Sequence, residues 1–184
     1  MKSAGLSIAV CVLFAGCTAT HQSQRLAPLA QPLEQSQRVY IAVATDGGYG
    51  GKTSPGSGAQ AANSLASAFA KRGVSVDVGS QPETRDQAVA SADKQAARYA
   101  VVPTVLNWEH RATAWSAIPS KLSMRVDVWD ARTGVKLDSA VLESKSAALT
   151  FLSTGPEMLL QDSIAAYVGT LYGDKPPTKA AATQ

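Results

Sequence analysis

The run VYIAVA (residues 39–44) is nearly all apolar, is rich in β-branched residues, and lies between Gln37 and the pair Asp46-Gly47. Strands with one face in water alternate polar and apolar residues, whereas a short continuous apolar run is typical of a strand buried on both faces. The run therefore predicts a strand at the centre of a sheet.

Two strand–helix units extend from this run. Residues 46–58 are the strongest loop signal in the chain, and residues 57–72 predict a helix. Residues 74–78 alternate as a half-buried strand, and residues 84–98 predict an Ala-rich helix. Helical crossovers imply parallel pairing among the first three strands.

A meander follows these units. Residues 99–106 begin a long strand that extends toward Trp115, and Pro103 removes one ladder donor, so part of this strand is expected to be an edge or bulged. Residues 121–131 alternate in polarity, and residues 135–145 are their hairpin partner. Three consecutive strands of this kind predict antiparallel pairing.

A capping box at residues 154–157 opens the last helix, which ends at Gly173. The predicted fold class is α/β (α+β), a mixed five-stranded sheet of element order β-α-β-α-β-β-β-α with helices packed on the sheet. Residues 38–173 form a single globular domain, and residues 174–184 form a disordered tail.

The N-terminus has the pattern of a signal peptide. Residues 1–16 combine a short positive segment with an apolar segment too short to span a hydrocarbon core of ~30 Å. The small pair Ala15-Gly16 precedes Cys17, which resembles the lipobox of bacterial lipoproteins and fits ordinary secretion poorly. This resemblance implies cleavage before Cys17 and a diacylglycerol on its sulfur. It also implies the outer membrane, because Thr18 stands where Asp would signal inner-membrane retention.

Residues 17–37 are rich in glutamine, are interrupted by prolines, and lack a sustained period. They predict a flexible tether between the membrane and the domain. In the alternative, Leu26, Leu29 and Leu33 dock on the domain as a short amphipathic turn.

Charge and cysteine content exclude several classes of function. The formal net charge is +3, without the clustered basic residues of a nucleic-acid-binding face. Cys11 lies in the leader and Cys17 is acylated, so the domain has no disulfide, free thiol or Cys metal ligand. No His, Asp or Glu pair has metal-ligand spacing, and we expect no metal and no cofactor.

The loop at residues 46–53 partly matches a phosphate-binding loop, since Gly51-Lys52-Thr53 follows a strand. The pattern requires Gly where Asp46 stands, and a carboxylate there would face the phosphates. We therefore expect no nucleotide. The remaining interpretations are a flexible surface loop and a loop that contacts a partner through Tyr49.

Residues 108–115 hold the densest group of candidate binding residues. Trp and Arg dominate interface hot spots, so Trp108, Arg111 and Trp115 form, with Tyr49, a candidate binding surface. In the alternative, Trp108 packs under a helix, because aromatic residues on strands are usually core residues.

Catalysis has weak support in the sequence. His110 is the only histidine of the predicted domain, and no G-x-S-x-G motif places a nucleophile. We therefore expect no enzyme. A small-ligand or glycan receptor that uses Trp108 and Trp115, and a cryptic hydrolase that uses His110, remain as alternatives.

The segments VYIAVATDGGYG, GSGAQAANSLASAFAKRG, VVPTVLNWEHRATAWS and VWDARTGVKLDSAVLESKS together resemble a family of bacterial lipoproteins known only as a domain of unknown function. The element order is also similar to the TolB amino-terminal domain and to envelope lipoproteins of the CsgG and LpoB type. This resemblance implies an outer-membrane lipoprotein that faces the periplasm, with an envelope protein or a second copy as its partner. It lends no catalytic residues.

Overall fold

The structure, a computed structural model, describes residues 20–109, 120–146 and 156–175. Within these ranges the chain forms eight strands: β1 Thr20–Ala27, β2 Val39–Val43, β3 Gly48–Tyr49, β4 Lys52–Thr53, β5 Val76–Pro82, β6 Tyr99–Glu109, β7 Lys121–Asp130 and β8 Lys136–Lys145. The same ranges hold three helices: α1 Ser57–Lys71, α2 Arg85–Lys94 and α3 Pro156–Leu171.

Six of the strands form one mixed sheet of order β1-β8-β7-β6-β2-β5. β2 pairs in parallel with both β5 and β6, and β6, β7, β8 and β1 pair antiparallel in succession. The predicted mixed sheet is confirmed, with parallel pairing among the strands joined by helices and an antiparallel meander. All five residues of β2 are buried, as expected of a strand covered on both faces.

Helices cover the sheet unevenly. α1 and α3 lie side by side on one face and enclose the main core, whose largest fully buried side chains include Ile41, Phe69, Met124, Leu142 and Ile164. α2 covers the opposite face mainly over β2 and β6, and its small core is built largely from alanines around Tyr40. Over β7 and β8, that second face carries polar side chains such as Arg125, Asp127 and Ser139, beside Trp129 and Val141.

The prediction of a tether over residues 17–37 is wrong for the part that the structure describes. Thr20–Ala27 is a sixth strand, β1, at the edge of the sheet beside β8. Leu33 is buried and Leu29 packs against the main core, whereas Leu26 is 54% exposed. The strand was missed because its side chains are mostly polar, and an edge strand is held by backbone pairing without needing an apolar face.

The long strand β6 is bulged, as predicted for the strand that contains Pro103. Among the described residues, β6 pairs with β2 as far as Val101, and beyond that point it pairs with β7 in the six-stranded sheet. A register shift between Val105 and Asn107 marks a bulge. The predicted extension toward Trp115 lies outside the described residues, as do the capping box residue Thr154 and the tail beyond residue 175.

Candidate functional site

The structure describes two of the four predicted binding residues, Tyr49 and Trp108. Tyr49 is 51% exposed, whereas Trp108 is 5% exposed and belongs to the main core. The packing interpretation therefore holds for Trp108, because its side chain has almost no surface to offer a partner. Arg111 and Trp115 lie outside the described residues, as does His110.

Tyr49 lies on a hairpin, formed by β3 and β4, that packs against the outer half of β6. Gly47 is so close to β6 that an added Cβ would be 2.2 Å from Val105 Cγ1. The Ser54 hydroxyl donates to the Trp108 carbonyl at 3.4 Å. The glycines of this loop thus permit close backbone approach, and the loop is fixed beside the strand that leads to residues 110–119.

Asp46 occupies the position where a phosphate loop would hold its ligand. Its carboxylate accepts hydrogen bonds from the Gly56 and Gly58 amides, each at 2.9 Å, at the start of α1. These amides lower the pKa of Asp46, the Gly58 amide most. The Asp46 carboxylate supplies the cap that Gly56 lacks and neutralises the positive end of the helix. The helix N-terminus therefore already holds an anion from its own chain.

Four paired residues mark the end of the sheet that lies nearest the Tyr49 hairpin. Thr20 lies opposite Lys145, Lys145 opposite Lys121, and Lys121 opposite Glu109, so these residues form a row across β1, β8, β7 and β6. We call this row the Thr20 end of the sheet. The connection at residues 110–119 starts and finishes here, and the Tyr49 hairpin packs on β6 near the same end.

His21 lies in the segment that was predicted to be a tether, and it is not among the predicted site residues. Its Nδ1 lies 3.2 Å from Ser144 Oγ and 3.0 Å from Ser163 Oγ, and its Nε2 lies 3.8 Å from an Asp162 carboxylate oxygen. Ser144 is 1% exposed and Ser163 is 4% exposed. A nucleophile must reach its substrate, and these hydroxyls do not. The cluster joins β1 to β8 and α3.

A second buried cluster holds the N-terminal segment in place. Asp138, whose side chain is fully buried, accepts from Arg25 Nε at 2.9 Å, from the Tyr167 hydroxyl at 2.7 Å and from the Leu29 amide at 3.2 Å. Burial raises the pKa of Asp138, and the Tyr167 hydroxyl and Arg25 lower it in part. No sequence pattern indicates this contact, because Arg25 and Asp138 are far apart in the chain.

The carboxylates Asp127 and Asp130 are also committed to structural contacts. Asp127 accepts from Ser139 Oγ at 2.6 Å and from Lys136 Nζ at 3.2 Å. Asp130 closes the hairpin between β7 and β8 and pairs with Arg98 at 2.6 Å. Among residues 20–109, 120–146 and 156–175, no three His, Cys, Asp or Glu side chains are grouped to hold a metal ion.

The described elements form a mixed sheet with helices packed on it, which is an α+β fold. The chain belongs to the family described as Domain of unknown function (DUF4823), whose model matches residues 31–171. The predicted membership of a family without an assigned activity is thereby confirmed. Among curated proteins, none matches the chain.

Solved structures share the fold at low identity. The PelC dodecamer from Paraburkholderia phytofirmans is similar over 85% of this chain and 100% of its own, with a TM-score of 0.64 and 16% identity. Lipoprotein GNA1162 from Neisseria meningitidis covers 73% of this chain and 99% of its own, with a TM-score of 0.50 and 11% identity. Protein XCC0632 from Xanthomonas campestris, of family DUF330, covers 79% of this chain and 90% of its own, with a TM-score of 0.52 and 10% identity.

No helix in the described part of the chain is both long and apolar enough to cross a membrane.

Proposed function

We propose that the chain is a lipoprotein held in the outer membrane through Cys17, and that its domain faces the periplasm as a non-catalytic interaction module of the cell envelope. The observation that carries this proposal is the position of β1. Thr20, the first residue of β1, is three residues beyond Cys17. Three residues span at most about 11 Å, so a lipid on Cys17 would hold the Thr20 end of the sheet close to the bilayer.

The described polar clusters favour an interaction role over a catalytic one, because their side chains make structural contacts. His21, Asp127, Asp130 and Asp138 are each engaged in contacts between elements of the fold. The glycan-receptor alternative relies on two tryptophans, of which Trp108 is buried. The hydrolase alternative relies on His110, which lies outside the described residues.

A second copy of the chain is the first partner to test. Among the described residues, the sheet ends in β1 and β5, and each of these edge strands carries an exposed aliphatic side chain, Leu26 at 54% and Val78 at 38%. Unpaired strand edges are templates for pairing with another chain. The similarity in fold to a protein that forms a dodecamer supports the same choice.

The candidate contact surface is Tyr49 together with Arg111 and Trp115. Tyr49 is exposed on a hairpin that packs beside β6, and the other two belong to the connection that leaves the same end of the sheet. Arg and large aromatic side chains at the centre of an interface contribute most of its binding energy. The surface would then lie near the membrane, where a neighbouring copy or an envelope protein would be held at the same height.

Two experiments test the proposal. Cell fractionation of Cys17→Ser, with the membranes washed in high salt to remove proteins held by charge alone, should move the protein to the soluble periplasmic fraction. Membrane association that survives the wash would refute the lipid anchor. Cross-linking in cells, followed by affinity purification and mass spectrometry, should recover a discrete envelope protein or a ladder of copies.

The cross-linked species should be lost in the double variant Arg111→Glu, Trp115→Ala. The matched control is Arg132→Glu, Val135→Ala, which makes the same kind of change at the hairpin between β7 and β8, where both side chains are exposed. Equal loss in both variants, or no specific cross-link in any of them, would contradict an interaction module at this surface.

A further inference from the structure

We propose that the Thr20 end of the sheet, together with the tip of the β3–β4 hairpin, is a docking surface for anionic phospholipid headgroups. This inference rests on the proposed lipid anchor at Cys17 and adds a second contact with the same membrane. Its ligand class is the phosphate of an anionic bilayer. The residues that would make the contact are Lys52, Lys121, Lys145 and Tyr49.

The arrangement of two lysines is the first observation. Lys121 and Lys145 are both exposed and lie directly opposite each other on β7 and β8. Like charges at such a cross-strand pair destabilise a sheet. An anion between or above the two ammonium groups would remove this repulsion, and a bilayer that carries phosphates supplies one.

The hairpin adds a third lysine and an aromatic ring. Tyr49 and Lys52 form a cross-strand pair at its tip, and both are exposed. Tyrosine is enriched at membrane–water interfaces because its ring is apolar and its hydroxyl is polar. Lysines immediately beside a membrane are each worth about 1 kcal/mol of attraction to anionic lipid, which corresponds to about fivefold in affinity.

The geometry brings these groups to the bilayer together. Three strand spacings of about 4.8 Å separate β1 from β6, so the row is only about 14 Å wide. Thr20 at one end of that row is within about 11 Å of Cys17. The row itself contains one carboxylate, Glu109, which is 5% exposed. The exposed Glu143 lies on β8, two residues before Lys145. Lys121 and Lys145 therefore belong to the row that the anchor would hold near the membrane.

Sedimentation with vesicles tests the surface without the acyl chains. The mature chain carrying Cys17→Ser is mixed with vesicles of phosphatidylglycerol and phosphatidylcholine, or of phosphatidylcholine alone. We expect binding that requires phosphatidylglycerol and weakens as salt is added. The double variant Lys121→Gln, Lys145→Gln should bind about 25-fold more weakly, at about fivefold for each lysine.

The matched control is Lys71→Gln, Lys94→Gln. These exposed lysines lie in the last turns of α1 and α2, which lead to the opposite end of the sheet at Val39 and Tyr99. The control should keep the parent affinity. An equal loss in the control would show that net charge alone acts, and binding that ignores phosphatidylglycerol would show that headgroup charge plays no part. Either result would overturn the proposal.

The double variant should fold, since it relieves a repulsion, and its melting temperature should equal or exceed that of the parent. If it melts earlier, Lys52→Gln on the separate hairpin replaces it, with about fivefold weaker binding expected and an unchanged affinity as the refuting result. Because the protein in this assay has no lipid, the outcome is independent of whether Cys17 is acylated, which the fractionation of Cys17→Ser decides.

Discussion

Arg25→Gln removes the charge that faces the buried carboxylate of Asp138. In the folded protein, Arg25 Nε lies 2.9 Å from Asp138 Oδ1, and the two side chains are 31% and 0% exposed. Removing one partner of a buried ion pair costs about 3–5 kcal/mol. Arg25 is partly screened by solvent, and Asp138 keeps its hydrogen bonds from Tyr167 and Leu29. We therefore expect a loss of about 2–3 kcal/mol in the free energy of unfolding at pH 7.5.

The cost should depend on pH, and its sign follows from the raised pKa of Asp138. A carboxyl whose pKa is higher in the folded than in the unfolded protein contributes stability that is lost as pH rises through the folded pKa. Loss of Arg25 removes one of the groups that lower this pKa, so the variant should be penalised most when the carboxyl is ionised. At about pH 4, near the ordinary pKa of an aspartate, the variant should approach the parent.

Urea unfolding, followed by circular dichroism at pH 4.5, 6 and 7.5, measures the free-energy cost of Arg25→Gln and its dependence on pH. Arg38→Gln is the matched control, because it breaks the exposed pair with Asp77 at 3.0 Å and should cost less than about 1 kcal/mol at every pH. Asp138→Asn in the Arg25→Gln background should recover part of the loss. A cost for Arg25→Gln that equals the control, or that does not change with pH, would refute the reasoning and with it the docking of β1.

Three further substitutions test the packing around the site. Asp46→Ala should cost about 1 kcal/mol of unfolding free energy, the usual value of a helix cap. Because the folded pKa of Asp46 is lowered, the denaturation curves of variant and parent should converge as pH falls below about 4. A loss of stability that persists in acid would contradict the capping role. Gly58→Ala should cost about 1–3 kcal/mol in urea unfolding, because its Cβ would lie 2.0 Å from the Ala44 carbonyl oxygen, and a neutral result would show that the loop is not fixed there. Leu142→Ala should cost about 2–5 kcal/mol, since the side chain is fully buried, whereas Leu106→Ala, at 50% exposure, should change the melting temperature little, and similar effects for both would contradict the described core.

The central and regular parts of the fold could be predicted from the sequence. β2 was recognisable because a strand buried on both faces is apolar throughout, and β7 because Leu122, Met124, Val126 and Val128 alternate with polar residues. The helix over residues 57–72 was bounded by Gly73, whose φ of 77° is the left-handed conformation that ends many helices. Local pattern and tertiary environment agree in these elements.

The parts that could not be predicted depend on contacts between distant residues. β1 has a polar sequence, and its stability comes from pairing with β8 and from the Arg25–Asp138 contact, neither of which leaves a local pattern. The His21 cluster was missed for the same reason. Trp108 was ambiguous in sequence, because a strand tryptophan can face either side, and only the register with Leu122 shows that it faces the core.

The most direct test of the account is the mass of the N-terminal peptide of the protein extracted from membranes. The lipid anchor at Cys17 predicts that the mature chain begins at Cys17 and that this residue carries the mass of a diacylglycerol thioether. An N-terminal peptide that begins elsewhere, or an unmodified Cys17, would contradict the anchor and the orientation of the domain derived from it.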